Sequence, residues 1–223
     1  MALLQVEALT VRRGTRTVVE NFNMKIDSGN CIILTGENGS GKSTLLEAIA
    51  GILPIQSGNV ALARPFGLTL QSGGFNGDEL VVERVNHAAD AAGVAGNTNI
   101  LLKRWNLDHR SHDRIGHLYG GMGRRLAVLQ GLMPAYGEKP RICHLDEPSE
   151  GLDEESVHTL VTDIAILRAR GHAFLIATHD ARLRECATTI MDMDGSSTDV
   201  EARQGSEECP QLSTIESKTT VTR

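Results

Sequence analysis

Apolar and polar positions alternate along the beginning of the chain as they do in β-strands. In the segment NFNMKI the apolar residues Phe22, Met24 and Ile26 point the same way, and a short turn at RRGTR precedes it. The segment CIILT (31–35) is continuously apolar, which is typical of a strand buried in a parallel sheet. The pattern predicts that most of the first 35 residues form strands.

A helix is expected after the strand CIILT, beyond a glycine-rich loop. From Ser43 onward, Leu45, Ile49 and Ile52 fall on one helical face, and Pro54 closes the segment. The sequence therefore predicts a buried strand, a glycine-rich loop and a helix in immediate succession.

The middle of the chain changes to helical spacing. Residues 78–94 carry apolar side chains at helical intervals behind Asp78, which we expect to cap the helix, and residues 97–107 have the pattern of a second short helix. The spaced apolar residues of the first helix are Val81, Val85, Ala88 and Ala92. We therefore predict a short helical subdomain inserted over about residues 72–135.

Strands and helices then alternate. The segments RICHL (141–145) and AFLIAT (173–178) are apolar as buried strands are, and the stretch from about Glu154 to Arg170 has helical spacing that Gly171 ends. A strand, helix, strand order of this kind predicts an α/β fold with a largely parallel sheet.

The C-terminal segment loses this periodicity. It is rich in Ser, Thr and Glu and has few apolar residues, so it cannot bury enough surface to offset the entropy of the chain. We predict one domain over residues 1–202 and a disordered tail over residues 203–223.

Composition narrows the classes of function. The chain has 223 residues, a formal net charge of −6 and an isoelectric point near 5.7, which argues against binding nucleic acid. No apolar stretch approaches the roughly 20 residues that span a bilayer, so we expect a soluble, cytoplasmic protein without direct membrane insertion. The cysteines lie far apart without a CxxC pair, which predicts reduced thiols at Cys31, Cys143, Cys186 and Cys209.

The segment GENGSGKST (36–44) fits the pattern GxxxxGK[ST] and lies between a predicted strand and a predicted helix. Its glycines let backbone N–H groups converge on a phosphate, Lys42 would neutralise phosphate oxygens, and Ser43 would coordinate Mg²⁺. We therefore predict nucleotide binding by this loop. The predicted contact residues are Gly36, Glu37, Asn38, Gly39, Ser40, Gly41, Lys42, Ser43 and Thr44.

Two adjacent acids follow a later buried strand. In ICHLDEP (142–148), Asp146 ends the apolar run and Glu147 comes directly after it. Asp146 would hold Mg²⁺ and Glu147 would polarise the attacking water. A solvated turn is the alternative, but a position downstream of a phosphate-binding loop favours catalysis. His144 interrupts the aliphatic run, and we expect it to be a buried, hydrogen-bonded core residue.

Six motifs, in order, resemble those of the nucleotide-binding subunits of ABC (ATP-binding cassette) transporters over about residues 3–200. The phosphate-binding loop corresponds to the family's Walker A motif, and Gln71 corresponds to the Q-loop glutamine. The segment LYGGM (118–122) corresponds to the signature motif. The segment HLDEP corresponds to the Walker B motif, and EGLD (150–153) corresponds to the D-loop. His179 corresponds to the switch histidine. Each polar residue alone would be ordinary on a surface, so their order carries the resemblance.

The resemblance implies a P-loop NTPase fold with a mostly parallel core sheet, an N-terminal antiparallel β subdomain and the inserted helical subdomain. It implies ATP and Mg²⁺ as cofactors, catalytic roles for Gln71, Glu147 and His179, and metal contacts from Ser43, Gln71 and Asp146. Two subunits would pair head to tail, as a homodimer or as a heterodimer with another ABC ATPase. Each ATP would lie between the Walker A loop of one subunit and the signature of the other, here Tyr119, Gly120 and Gly121.

Two regions depart from the family's pattern. Tyr119 replaces a serine that bonds the γ-phosphate, and Met122 replaces a glutamine. Losing a charge-assisted hydrogen bond costs about 1.5–3 kcal/mol, so we predict a weakened signature and expect Tyr119→Ser to raise ATP turnover. Where the family stacks an aromatic residue on adenine, this chain offers only Arg12, Arg13 and Arg16, so we expect loose base selectivity.

The resemblance implies an ATP-hydrolysing subunit, peripheral to the membrane, that drives a separate integral membrane permease. The compact helical subdomain resembles that of small exporter ATPases, including the haem exporter of cytochrome c maturation. The alternatives are a nucleotide-binding regulator with weak turnover and a non-transport ATPase of the same family. Trp105 and Leu107 would either dock the permease or pack in the core, and we favour the core. The segment DHRSHD (108–113) is expected to be a polar loop rather than a metal site.

Overall fold

A computed structural model of the chain describes residues 1–71, 75–194 and 201–202. The strands are β1 (Ala2–Arg13), β2 (Arg16–Asp27), β3 (Cys31–Thr35), β4 (Ser57–Leu62), β5 (Gly67–Thr69), β6 (Ile142–Asp146), β7 (Ala173–Ala177), β8 (Thr189–Asp192) and β9 (Glu201–Ala202). The helices are α1 (Lys42–Ala50), α2 (Val81–Ala92), α3 (Asn99–Arg104), α4 (Met122–Leu132), α5 (Glu154–Ala169) and α6 (Ala181–Arg184).

The larger sheet has six strands in the order β5, β6, β7, β3, β8 and β9. The first five run parallel to their neighbours, and β9 pairs antiparallel with β8 at the edge. Because parallel strands end on one edge of a sheet, the loops after β3, β5, β6 and β7 meet there. The predicted parallel core sheet is confirmed.

A second sheet of three antiparallel strands, in the order β2, β1 and β4, forms the N-terminal layer. Phe22, Met24 and Ile26 of β2 are all buried on its inner face, as their alternation predicted. The predicted antiparallel N-terminal β subdomain is therefore confirmed.

The parallel sheet separates two hydrophobic clusters. In β3, Cys31 and Ile33 belong to the cluster that includes α2, α4 and α5, whereas Ile32 and Leu34 face the antiparallel sheet and α1. The helical insertion therefore shares its core with one face of the sheet. Trp105 is 2% exposed in this cluster, and the core alternative for it and for the fully buried Leu107 is correct.

Helix α1 ends earlier than its apolar spacing predicted. Gly51 follows it with φ of 79°, a left-handed conformation that stops the helix, and its N–H bonds the carbonyl of Ala48. Ile52, expected on the inner helical face, lies beyond the helix and is 55% exposed. That expectation was wrong because the left-handed glycine ends the helix even though the apolar spacing continues beyond it.

Helix α2 begins at Val81, and Asp78 does not cap it as predicted. The N–H of Leu80 instead donates to the Glu83 carboxylate at 3.2 Å, which satisfies one free donor of the first turn. Asp78 forms an ion pair with Arg114, with Oδ1 and Nη1 2.7 Å apart.

Helix α4 packs against strand β5 at very short range. A Cβ placed on Gly67 would lie 1.8 Å from the carbonyl oxygen of Gly131, and one on Gly131 would lie 1.8 Å from the hydroxyl oxygen of Thr69. Only glycine allows the two backbones to approach in this way. This contact fixes the helix that follows the signature onto the core sheet.

Other predictions concern the tail, the cysteines and the membrane. Residues 203–223 and Cys209 lie outside the described residues. Cys31, Cys143 and Cys186 are buried free thiols, as expected. Among the described helices, none has the length and apolar character needed to cross a membrane.

Candidate active site

The loop between β3 and α1 has the shape of an anion-binding cradle. Gly36, Gly39 and Gly41 have φ values of 132°, 92° and 106°, which side chains other than glycine rarely allow. Helix α1 starts directly after Gly41, and no side chain of the described residues caps it, so its first N–H groups remain free for a ligand. The Lys42 ammonium donates to the carbonyl oxygens of Gly36 and Glu37, at 2.6 and 2.9 Å.

A cavity of about 480 Å³ opens beside this loop. The residues that line it come from the N-terminal sheet, the loop, and the ends of β5 and β6: Arg13, Arg16, Val18, Asn38, Gly39, Gly41, Lys42, Ser43, Thr44, Gln71, Asp146 and Glu147. The fold therefore brings the predicted phosphate cradle and both predicted acids to one cavity.

Asp146 lies at the end of β6, where it is 3% exposed. Burial raises the pKa of its carboxyl above the ordinary value, and a hydrogen bond with the Ser43 hydroxyl opposes the shift. A smaller cavity of about 220 Å³ is lined by Ser43, Gln71 and Asp146, together with Glu47 and Leu70. The three residues predicted to contact metal are thus brought together, and their oxygen atoms suit Mg²⁺.

Glu147 follows β6 in a conformation that is rare for a residue with a side chain. Its φ is 43°, and its N–H donates to the carbonyl oxygen of Ala177 at 2.8 Å. One carboxylate oxygen accepts a long hydrogen bond of 3.4 Å from the backbone N–H of His179, and the other lies 3.6 Å from His179 Nε2. The predicted catalytic glutamate and switch histidine are therefore neighbours.

Gln71, the third predicted catalytic residue, is exposed at the end of β5. Its side-chain Nε2 donates to a carboxylate oxygen of Glu150 at 3.0 Å. Sequence reasoning assigned Glu150 to the D-loop but gave it no partner, because a contact 79 residues apart leaves no local pattern.

Arg124 is a site residue to which the sequence patterns gave no role. Its Nη1 donates to the carbonyl oxygens of Leu70 and Gln71, at 2.8 and 3.4 Å. Its Nη2 donates to the carbonyl oxygens of Asp146 and Glu147, at 2.8 and 2.6 Å. One guanidinium thus joins the ends of β5 and β6, and burial lowers its pKa.

The signature residues precede α4. Tyr119 is 65% exposed, and its hydroxyl accepts a hydrogen bond of 2.5 Å from Arg110. Gly120 has φ of 58°, and a Cβ on Gly121 would lie 2.8 Å from the carbonyl oxygen of Gly151 in the D-loop. Tyr119, Gly120 and Gly121 are not among the described residues that line the 480 Å³ cavity.

Met122 points into the protein. It is 9% exposed and belongs to the hydrophobic cluster beneath α4. The methionine at this position therefore contributes to packing, where a glutamine would leave a polar group to satisfy.

Arg13, one of the three arginines near the expected adenine site, is fixed onto α1. Its Nε donates to the Thr44 hydroxyl at 3.0 Å, and its guanidinium forms an ion pair with Glu47. Arg13 is therefore held in the lining of the cavity beside the phosphate-binding loop.

His144 is buried as expected, but the expectation of a hydrogen bond was wrong. Neither ring nitrogen has a partner in the described part of the chain, and the ring lies 5.5 Å from that of Phe66 between centroids. Burial lowers the pKa of His144 to about 4.

Comparisons with known proteins agree with the geometry. Residues 19–150, more than half of the chain, match the family model described as ABC transporter. The cytochrome c biogenesis ATP-binding export protein CcmA of Rhodobacter capsulatus is 33% identical over 186 residues, which cover 80% of this chain and 82% of that protein.

Two further similarities differ in how much they cover. A protein of Streptomyces avermitilis is 33% identical over 195 residues, which cover 80% of this chain and 34% of that protein, so this chain spans about a third of its length. A solved structure of the ATP-binding subunit of an ABC transporter has a TM-score of 0.77 at 22% identity and covers 85% of both chains. At that identity the structural likeness establishes the fold.

Proposed function

This chain belongs to the ABC transporter family, whose ATP-binding subunits hydrolyse ATP, and we propose that it binds MgATP in the 480 Å³ cavity and drives a separate membrane permease. The observation that carries the proposal is the convergence of Lys42 and Ser43 with Asp146 and Glu147 on that one cavity. A phosphate-binding loop alone would support nucleotide binding. The two acids beside it supply what hydrolysis requires.

The proposed hydrolysis uses four side chains. A water held by Glu147 and Gln71 attacks the γ-phosphorus, the bond to the ADP oxygen breaks, and the water proton passes to the Glu147 carboxylate. Lys42 leaves its loop carbonyls to bind the β- and γ-phosphate oxygens. His179, next to Glu147, donates to the γ-phosphate and stabilises the charge on the departing group.

The metal would be held by Ser43 and Asp146, with Gln71 beside them. Mg²⁺ prefers oxygen ligands, and the adjacent hydroxyl and carboxylate provide them in one small cavity. When bound, Mg²⁺ neutralises phosphate charge. Burial raises the pKa of Asp146 although the charges of Arg124 and Lys42 lower it, and a bound cation would further favour the ionised carboxylate.

The signature supports a head-to-tail pair of subunits. Gly120 and Gly121 are not among the described residues that line this subunit's own cavity, and α4 begins directly after them without a side-chain cap. A second copy, or another ABC ATPase, would present its nucleotide to this surface, where helix N–H groups favour a phosphate. The permease partner is proposed to be an exporter, because the chain covers most of a relative named as an export protein.

A second candidate is a nucleotide-binding regulator with weak turnover. It is favoured by the bond that holds Tyr119 to Arg110 and by the burial of Met122, which leave the signature without the family's two polar side chains. The presence of Glu147, Gln71 and His179 at one site favours the enzyme.

Single-turnover hydrolysis of ATP by the purified chain, compared with Glu147→Gln and Lys42→Ala, tests the proposal. We expect Glu147→Gln to bind ATP with unchanged affinity and to hydrolyse it at least about 100-fold more slowly, since the general base is lost. Lys42→Ala should lose binding. Equal rates in wild type and Glu147→Gln would refute the enzyme and leave the regulator.

A further inference from the structure

The conformation of Glu147 is held from two sides. Its positive φ places it in the left-handed region, which a residue with a side chain occupies only when its surroundings enforce it. The N–H of Glu147 is bound to the carbonyl of Ala177 on β7, and its own carbonyl accepts from Arg124 at 2.6 Å. The direction of the glutamate side chain therefore depends on a residue of the signature helix.

Packing alone does not explain this arginine. Helix α4 already contacts the sheet through Gly67 and Gly131, and apolar residues of α4 such as Leu126 and Leu129 are fully buried. Burying part of a guanidinium beside them costs solvation, as its lowered pKa indicates. Four bonds to backbone carbonyls offset that cost at the strand ends that carry Gln71 and Glu147.

We propose that Arg124 is a positioning residue that holds the turns after β5 and β6, so that Gln71 and Glu147 face the nucleotide. The proposal rests on the proposed function and adds a physical link to it. The N-terminus of α4 covers the partner's nucleotide, while Arg124, on the same helix, fixes this subunit's own catalytic turn. A displacement of α4 would therefore change the geometry of both sites.

The planar fork of arginine is needed for this role. One terminal nitrogen donates to a carbonyl after β5 and the other donates to a carbonyl at the end of β6, so the guanidinium bridges the two strand ends. A lysine has a single ammonium group, which could bond the carbonyls at only one of the two strand ends. Arg124→Lys should therefore restore part of what Arg124→Gln loses, which distinguishes bridging geometry from charge.

The matched control is Arg84 on α2. Its Nε donates to the side-chain oxygen of Gln130 on α4 at 3.1 Å, and none of its described hydrogen bonds or ion pairs is to β5 or β6. We expect Arg124→Gln to lower the single-turnover rate about 10- to 100-fold and to change the ATP dissociation constant less than about 3-fold. Arg84→Gln should change neither quantity more than about 3-fold. An unchanged rate in Arg124→Gln would overturn the proposal.

A double-mutant cycle tests whether the arginine acts through the glutamate. Arg124→Gln should slow hydrolysis in the wild-type background and add less than about 2-fold in the Glu147→Gln background. A full additional loss in that background would show that Arg124 acts elsewhere, and the proposal would be wrong.

Hydrogen exchange provides a readout that does not require turnover. In Arg124→Gln, and less strongly in Arg124→Lys, peptides covering residues 146–153 should exchange faster, while those covering residues 36–50 should not change. Faster exchange along the whole chain would indicate general destabilisation and overturn the proposal. An inactive wild type, or a Glu147→Gln variant as fast as wild type, would refute the proposed function, and the exchange comparison would still decide the role of Arg124.

Discussion

At the scale of single residues, His144 on strand β6 is completely buried, and neither ring nitrogen has a partner among the described residues. A buried polar group without a partner costs about 1–3 kcal/mol of stability. We therefore expect His144→Leu, which keeps a similar volume, to raise the free energy of unfolding by about 1–2 kcal/mol at pH 7. Urea denaturation monitored by circular dichroism measures this. If His144→Leu instead lowered the free energy of unfolding by more than about 1 kcal/mol, the imidazole would make a favourable contact.

The same residue predicts how stability depends on pH. The pKa of His144 is lowered to about 4 by burial, so between that value and the ordinary value of about 6.5 the unfolded chain binds a proton that the folded chain excludes. Its contribution is complete above pH 6.5 and falls by up to about 3 kcal/mol as the pH drops toward 4.

His144→Leu should flatten this slope, while the exposed control His158→Gln should keep it. The pKa of His172 is also lowered by burial, so a smaller slope should remain in the leucine variant. Urea midpoints measured from pH 7.5 to 4.5 provide the comparison. An unchanged slope in His144→Leu would contradict the assignment.

Arg13 determines a prediction about base selectivity. Its bond to Thr44 and its ion pair with Glu47 hold Arg13 in the lining of the cavity, and a guanidinium can stack on any base. We expect dissociation constants for MgATP and MgGTP that differ by less than about 10-fold. Competition against a fluorescent nucleotide measures both, and a preference for adenine above about 100-fold would contradict the expectation.

At the scale of elements, the contact between α4 and β5 depends on glycine. Gly131→Ala would force a methyl group against Thr69, so we expect a loss of about 3 kcal/mol or more in unfolding free energy. Gly123→Ala on the same helix is the control, because its Cβ would meet no atom within 4 Å, and alanine favours a helix by about 1 kcal/mol over glycine. Thermal denaturation compares the two. Equal melting temperatures would contradict the close contact.

The elements show which parts of the fold sequence patterns can predict. The strands β3, β6 and β7 were correctly predicted because continuous apolar runs between turns report burial in a parallel sheet. The ends of helices were predicted less well. Gly51 stopped α1 before Ile52, and the N–H of Leu80 is bound by Glu83 in place of the expected Asp78 cap, because local backbone geometry overrides apolar spacing.

In the candidate site, too, some features could be predicted from the sequence and others could not. Lys42, Ser43, Asp146 and Glu147 could be predicted because their chemistry requires fixed residue types at fixed places relative to a strand and a helix. The hydrogen bonds of Arg124 to four carbonyls could not be predicted, because backbone acceptors have no sequence pattern. The bond of Gln71 to Glu150 could not be predicted either, because partners distant in the chain show no common periodicity.

At the scale of the whole molecule, the proposed head-to-tail pair predicts that the signature affects the rate of ATP turnover. Tyr119→Ser should raise steady-state ATP turnover about 10-fold, because a short hydroxyl replaces a ring held by Arg110 and can reach the partner's γ-phosphate. Tyr119→Phe removes only the hydroxyl and should give no increase. Turnover is measured by phosphate release. No gain in Tyr119→Ser, with nucleotide-driven dimerisation also unchanged, would contradict a weakened signature.

Calorimetric titration of ATP with and without Mg²⁺ measures whether Lys42 and Asp146 bind one magnesium-bound triphosphate. For the wild type, we predict that Mg²⁺ tightens ATP binding at least about 10-fold. For Asp146→Asn, Mg²⁺ should have little effect, and Lys42→Ala should not bind ATP under either condition. If Asp146→Asn kept the full effect of Mg²⁺, or if Lys42→Ala bound ATP as the wild type does, the cavity would not be the MgATP site.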